Sequence, residues 1–194
     1  MIQVRRLMAA ALATSALRLG LAIGLVFGCG LAAGAQQGGL MAHDLSGFAL
    51  DMTVDQVASV ANRPLTPTGT GQYQVMIDGI DYSFGFSSAG HLFRIDSRQQ
   101  LVPFPVDAAF AADLTRRLTR KFGQPMSNQL PAGPVVWMYQ ESYVGAKGEK
   151  LTRETESLTV LVAGGTTEPV TVEMQMIAPR IERRDAQTAP AAAK

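Results

Sequence analysis

The stretch from Tyr73 to Ser97, YQVMIDGIDYSFGFSSAGHLFRIDS, decides the fold. Apolar and polar residues alternate on both sides of Asp78-Gly79. An Asp-Gly pair between alternating runs is the strongest short hairpin signal, because a type I′ turn needs positive φ at both central positions. The turn sets Ile77 against Ile80, Val75 against Tyr82 and Tyr73 against Phe84, all on one face because strand side chains alternate with period two. A four-residue loop over Ser87–Gly90 then pairs Phe86 with His91, Phe84 with Phe93 and Tyr82 with Ile95. The expectation is a three-stranded meander with Tyr73, Val75, Ile77, Ile80, Tyr82, Phe84, Phe93 and Ile95 turned to the core. Its other face reads Gln72, Gln74, Met76, Asp81, Ser83, Gly85, Leu92, Arg94 and Asp96. An antiparallel sheet commonly leaves one face in water. A purely solvated face has no need of Met76, Leu92 or Arg94, which makes these three the candidate protein-binding residues.

A helix precedes the meander. Thr53 and Gln56 match a capping box, Val54, Val57, Ala58 and Ala61 share one helical face, and Asn62 with Pro64 ends the run near residue 62. After Pro103-Phe104-Pro105 a second cycle opens. Asp107 is the expected N-cap, Phe110, Leu114 and Leu118 recur every four residues, and Gly123 with Pro125 closes the helix. Arg116, Arg117, Arg120 and Lys121 complement the helix dipole there; an anionic-partner patch is the alternative. Three strand patterns follow, over 135–140, 157–163 and 170–177, with a polar hairpin loop or exposed ribbon over 141–156. The fold class expected is α+β: two tandem αβββ units, 47–102 and 103–178, forming an antiparallel sheet with helices packed on one face. Two separate three-stranded layers are the alternative. Residues 36–46 read as a linker and 179–194 as a disordered tail.

Residues 1–35 read as a signal peptide: Arg5, Arg6 and Arg18 give a positive start, Leu19 to Phe27 is apolar, and Ala33-Gly34-Ala35 offers a cleavage site. An uncleaved anchor is the alternative, which the many glycines of the segment disfavour. The chain of 194 residues carries 17 basic and 16 acidic side chains. Cleavage would remove three of the basic ones, leaving 14 against 16 and a balance of −2. With 47 % apolar residues the chain can bury a core, and with no basic field it has no electrostatic footprint for nucleic acid. Cys29, the single cysteine, lies inside the segment. Val26-Phe27-Gly28-Cys29 resembles a bacterial lipobox apart from Phe27, so Cys29 is either a lipidation site or a discarded residue. In both cases no disulfide remains, and stability must come from packing.

No residue set identifies a reaction. His43 and His91 have no second ligand at metal spacing, so no metal or other cofactor is expected. Ser87 or Ser88, His91 and Asp96 can be written as a triad, but no motif fixes their geometry; His91 capping a turn or covering the core edge is the expectation. Gly69-Thr70-Gly71 lacks the helix start and Lys of a phosphate loop.

The segment GFALDMTVDQVASVANRP, Gly47 to Pro64, resembles the opening of the BamE/SmpA class of small envelope proteins. LTRRLTRKFGQP, Leu114 to Pro125, followed by a Trp-bearing strand, looks like the second half of tandem versions of that unit, the fold of the β-lactamase-inhibitor protein BLIP and its relatives. The resemblance covers about residues 47–177 and rests mostly on capping and turn chemistry. It implies a contact protein rather than an enzyme: a periplasmic or outer-membrane-associated module that binds another envelope protein. An inhibitor of a secreted or periplasmic hydrolase is the alternative, although the disulfides of that inhibitor are absent here. The only expected membrane contact is a lipid anchor at Cys29.

Overall fold

The computed structural model describes Leu40 and residues 43–188. The expected signal peptide, Cys29 and the last six residues lie outside the described part. Leu45–Gly47 fall outside the large compact unit, which the other described residues form.

The Asp78-Gly79 turn forms as the alternation requires, with φ of 51° and 79°. It joins β4 (Gln72–Ile77) to β5 (Ile80–Phe86) in the expected register, Ile77 opposite Ile80, Val75 opposite Tyr82 and Tyr73 opposite Phe84. These strands belong to an eight-stranded antiparallel sheet that also contains β3 (Thr66–Gly69), β6 (Leu92–Leu101), β7 (Ser127–Asn128), β8 (Val135–Val144), β9 (Lys150–Ala163) and β10 (Val170–Ile177). Its order is β3-β4-β5-β6-β10-β9-β8-β7. Two-residue strands β1 (Asp44–Leu45) and β2 (Phe48–Ala49) precede it, as does α1 (Val54–Ala61); α2 (Ala108–Phe122) falls between β6 and β7, and α3 (Pro179–Thr188) follows β10. Among the described residues the class is α+β, with one large antiparallel sheet and three helices. Where two runs of three strands were expected, each run carries a further edge strand, β3 and β7. Both are short and polar, and they leave no apolar alternation to read.

Helix boundaries follow local chemistry. Thr53 caps α1 with both halves of a capping box, and Asn62 ends it in the left-handed region. Asp107 caps α2 by accepting from Phe110 N at 2.9 Å. The C-terminal carbonyls of α2 are met by side chains of the sheet: Trp137 Nε1 donates to Gly123 O at 3.0 Å and Tyr139 Oη to Phe122 O at 3.2 Å. Leu114, Leu118 and Phe122 are buried along one stripe, and the Phe122 and Trp137 rings lie 6.0 Å apart. Across the central seam Ile95 pairs with Met176, and Met176 with Leu158, all fully buried.

Two expectations fail at the β5–β6 turn. Phe86 pairs with Leu92 rather than His91, and after a bulge Phe84 pairs with Ile95 and Tyr82 with Ser97. The cause is a competing partner, since Leu92 N donates to Met52 O and Asp51 N to Leu92 O, both at 2.8 Å. Those bonds claim Leu92 for the core. The bulge leaves Phe93 half-buried, its ring 3.4 Å from where a Cβ on Gly85 would stand, so Phe93 leaves the core face it was expected on. The tail expected from Pro179 is instead α3 up to Thr188, because Ile181 and Asp185, one turn apart, are both buried. The linker expected over 36–46 already contains the buried Leu40 and, at its end, β1.

Leu92→Ala is expected to cost about 2–5 kcal/mol in urea unfolding, the range for truncating a core leucine. Met76→Ala, on the same sheet but in water, is expected to stay within about 0.5 kcal/mol. Equal small effects would place Leu92 on the solvent face after all.

Candidate functional site

The three sequence candidates separate. Met76 is 58 % exposed and Arg94 stands on the same solvent face, whereas Leu92 is fully buried on the opposite one. Leu92 is therefore withdrawn as a binding residue; the β6 bulge reverses the face that simple alternation assigned to it.

The solvent face is ordered by cross-strand register. At one level Gln74, Ser83, Asp96, Gln175 and Thr159 stand side by side on β4, β5, β6, β10 and β9. Gln74 Nε2 donates to Ser83 Oγ at 3.1 Å. Asp96 accepts from Arg94 Nε at 2.7 Å, from Arg94 Nη2 at 3.1 Å and from Gln175 Nε2 at 2.7 Å. The network fixes these side chains before any partner arrives, which lowers the entropy lost on binding. At the next level stand Met76, Asp81, Arg98, Glu173 and Leu161, the last 39 % exposed. A groove of about 880 Å³ lies over these residues, lined from β3, β4, β5, β6, β10 and β9. Sequence reading found Met76 and Arg94 in it. It missed Glu173, Gln175 and Leu161, although the alternation of β9 and β10 puts those positions opposite their core residues.

A second cluster lies on the other side of the sheet. Asp185 of α3 receives the Ser87 hydroxyl and His91 Nδ1, the latter at 2.9 Å, on the same carboxylate oxygen. Arg184 Nε donates to its other oxygen at 2.9 Å and bridges to Asp51 with two bonds of 2.7 and 3.0 Å. The triad written with Asp96 does not form, because Asp96 is on the solvent face. Ser87 gives its proton to Asp185 and accepts from the His91 backbone N at 3.2 Å, so the imidazole is not its base. Asp185 was missed, and its one signal is the i, i+4 spacing from Ile181.

Burial alone would raise the Asp185 carboxyl. The bonds from Ser87, Arg184 and His91 outweigh it and hold the group at about 2, below its ordinary 3.8. Arg184 pushes Asp51 down in the same way, and its own guanidinium is raised by both carboxylates. Elsewhere, burial and then Lys121 lower His43, while burial and then Glu156 raise Tyr139. His43 packs edge-on against Phe122, with ring centroids 5.5 Å apart. Three of the four basic residues at the end of α2 are internally engaged: Arg117 reaches Asp113 at 2.7 Å, Arg116 also meets Asp113, and Lys121 reaches Asp44 at 3.4 Å.

Among the described residues no group of three or more His, Cys, Asp or Glu side chains could hold a metal ion, and no helix is long and apolar enough to cross a membrane. No protein-family model, curated protein or solved structure matches the chain.

A carboxyl held low contributes stability that is fully present above its unfolded value of 3.8 and is lost as pH falls through about 2. Asp185→Asn is expected to cost about 1–3 kcal/mol at pH 7. It is also expected to flatten the stability profile between about pH 4 and 2. Chemical denaturation across that pH range checks both.

Proposed function

We propose that this is an exported cell-envelope protein acting as a non-enzymatic protein-binding module. The observation that carries the reading is the groove on the solvent face, where exposed Met76 and Leu161 flank a hydrogen-bonded polar floor. An open groove with a pre-ordered floor suits a contact surface, and neither His91 nor His43 lines it. Export rests on the positive, apolar and small-residue pattern of residues 1–35. Periplasmic release and lipidation at Cys29 are its two forms, separated by the intact mass of the mature protein.

In this reading the fold is two tandem helix-plus-meander units merged edge to edge, as in BamE/SmpA-like and BLIP-like proteins. Support comes from the element order, α1 before β3–β6 and α2 before β7–β10, and from the antiparallel pairing of the two last strands, β6 and β10.

One observation favours a second reading, inhibition of a secreted or periplasmic hydrolase. Gln140–Val144 and Lys150–Glu154 pair with each other and extend beyond the residues that pair with β7 and β10. The end of this ribbon exposes Tyr143, Val144 and Leu151, with Arg153 over the Tyr143 ring at 5.0 Å. A projecting ribbon with exposed apolar side chains just below its polar turn over residues 145–149 is a shape that enters another protein's cleft. Stoichiometric loss of activity in a panel of such hydrolases would establish this reading, and its absence across the panel would remove it.

Pull-down from envelope extract is expected to capture a partner with the wild-type chain and to lose it with the Met76→Ser, Leu161→Ser double variant, which removes the exposed apolar contacts without changing the charge. Identical captures from both, or none from either, would sink the docking reading.

A further inference from the structure

Met76, Asp81, Arg98, Glu173 and Leu161 form one level across five strands, an apolar residue at each end and charges between. Four interstrand steps separate Met76 from Leu161, about 19 Å in a sheet. That span is wider than a single small ligand needs and matches a stretch of polypeptide. Its charges do not balance. Arg94 is held by Asp96 at 2.7 Å, and Arg98 lies 3.4 Å from Glu173 with both side chains about half exposed. The Asp81 side chain makes no hydrogen bond or ion pair among the described residues. The groove thus contains three carboxylates against two guanidinium groups, with the unmatched one on Asp81. Arg63 makes no ion pair with Asp81; it stands outside the lining and donates to the Met76 carbonyl at 2.7 Å.

We propose that the groove receives a basic segment of a partner protein, with a Lys or Arg set against Asp81 and apolar side chains seated on Met76 and Leu161. The proposal rests on the docking reading above and names the chemistry of its partner. Phosphate-bearing and other anionic ligands are disfavoured by the excess carboxylate. The apolar ends remove hydrocarbon surface from water and supply affinity, whereas the exposed carboxylate selects among partners and speeds encounter. Arg98 contributes by exclusion, since a basic residue placed over it rather than over Asp81 meets a like charge.

Selection of displayed random peptides on the purified chain, followed by titration of the synthesised winners, tests this. The expected winners carry Lys or Arg between apolar residues. Their Kd is expected to rise about tenfold with Asp81→Lys, less with Asp81→Asn, and to weaken with added salt. Asp81→Asn adds no charge beside Arg98, so it reads the lost attraction without a new repulsion. Winners that are neutral or acidic, that lose binding with Met76→Ser but not with Asp81→Asn, would overturn the basic partner and leave the docking face standing. Winners indifferent to Met76→Ser, Leu161→Ser and Asp81→Asn alike, or no winners at all, would overturn both.

Discussion

An ionised carboxylate out of water is tolerable only if its oxygens are met by donors, and the arrangement around Asp185 is built on that requirement. Ser87, His91 and Arg184 converge on it, and Arg184 continues to Asp51. The Ser87–His91 turn and α3 therefore hold each other in place. At the other end of the helix Arg180 meets the buried Glu156, and Arg183 Nη2 donates to Glu154 O at 2.8 Å. Only Ile181 and Asp185 of α3 are buried. Its position is set by placed charges more than by apolar area, and those charges reach β9 at one end and the β5–β6 turn at the other.

This explains which parts of the fold were legible. The β4–β5 hairpin could be read because its register is fixed locally by Asp78-Gly79 and by alternation. Both long-pattern helices could be read because caps and apolar spacing agree. The β5–β6 register could not, since the hydrogen bonds that move Leu92 come from Asp51 and Met52, some forty positions away in the chain. Helix α3 hid behind its composition, with IERRDAQT looking like a solvated tail until Glu156, Ser87 and His91 are placed opposite it. A charge run reads as solvated whenever its partners are remote in sequence.

The solvent face divides along the same line. Met76 and Arg94 follow from alternation within their own strands. The residues that make a surface of them, Glu173, Gln175 and Leu161, arrive only because β10 pairs with β6 and β9 with β10. The bond from Gln175 to Asp96 joins residues 79 positions apart. A local pattern marks which way a side chain looks, and the sheet order decides what stands beside it.

The strands at the two ends of the sheet have a consequence for how it meets other molecules. An open edge is a template for another strand, and eight strands in a row leave two of them. Here one edge is the four-residue β3, which contains Pro67, and the other is the two-residue β7. Proline has no N–H to offer, and a two-residue strand presents too few groups for a ladder to grow. The end strands thus discourage fibre-like stacking of copies, and the edge left open is that of β8 beyond β7, where residues 140–144 pair on one side only.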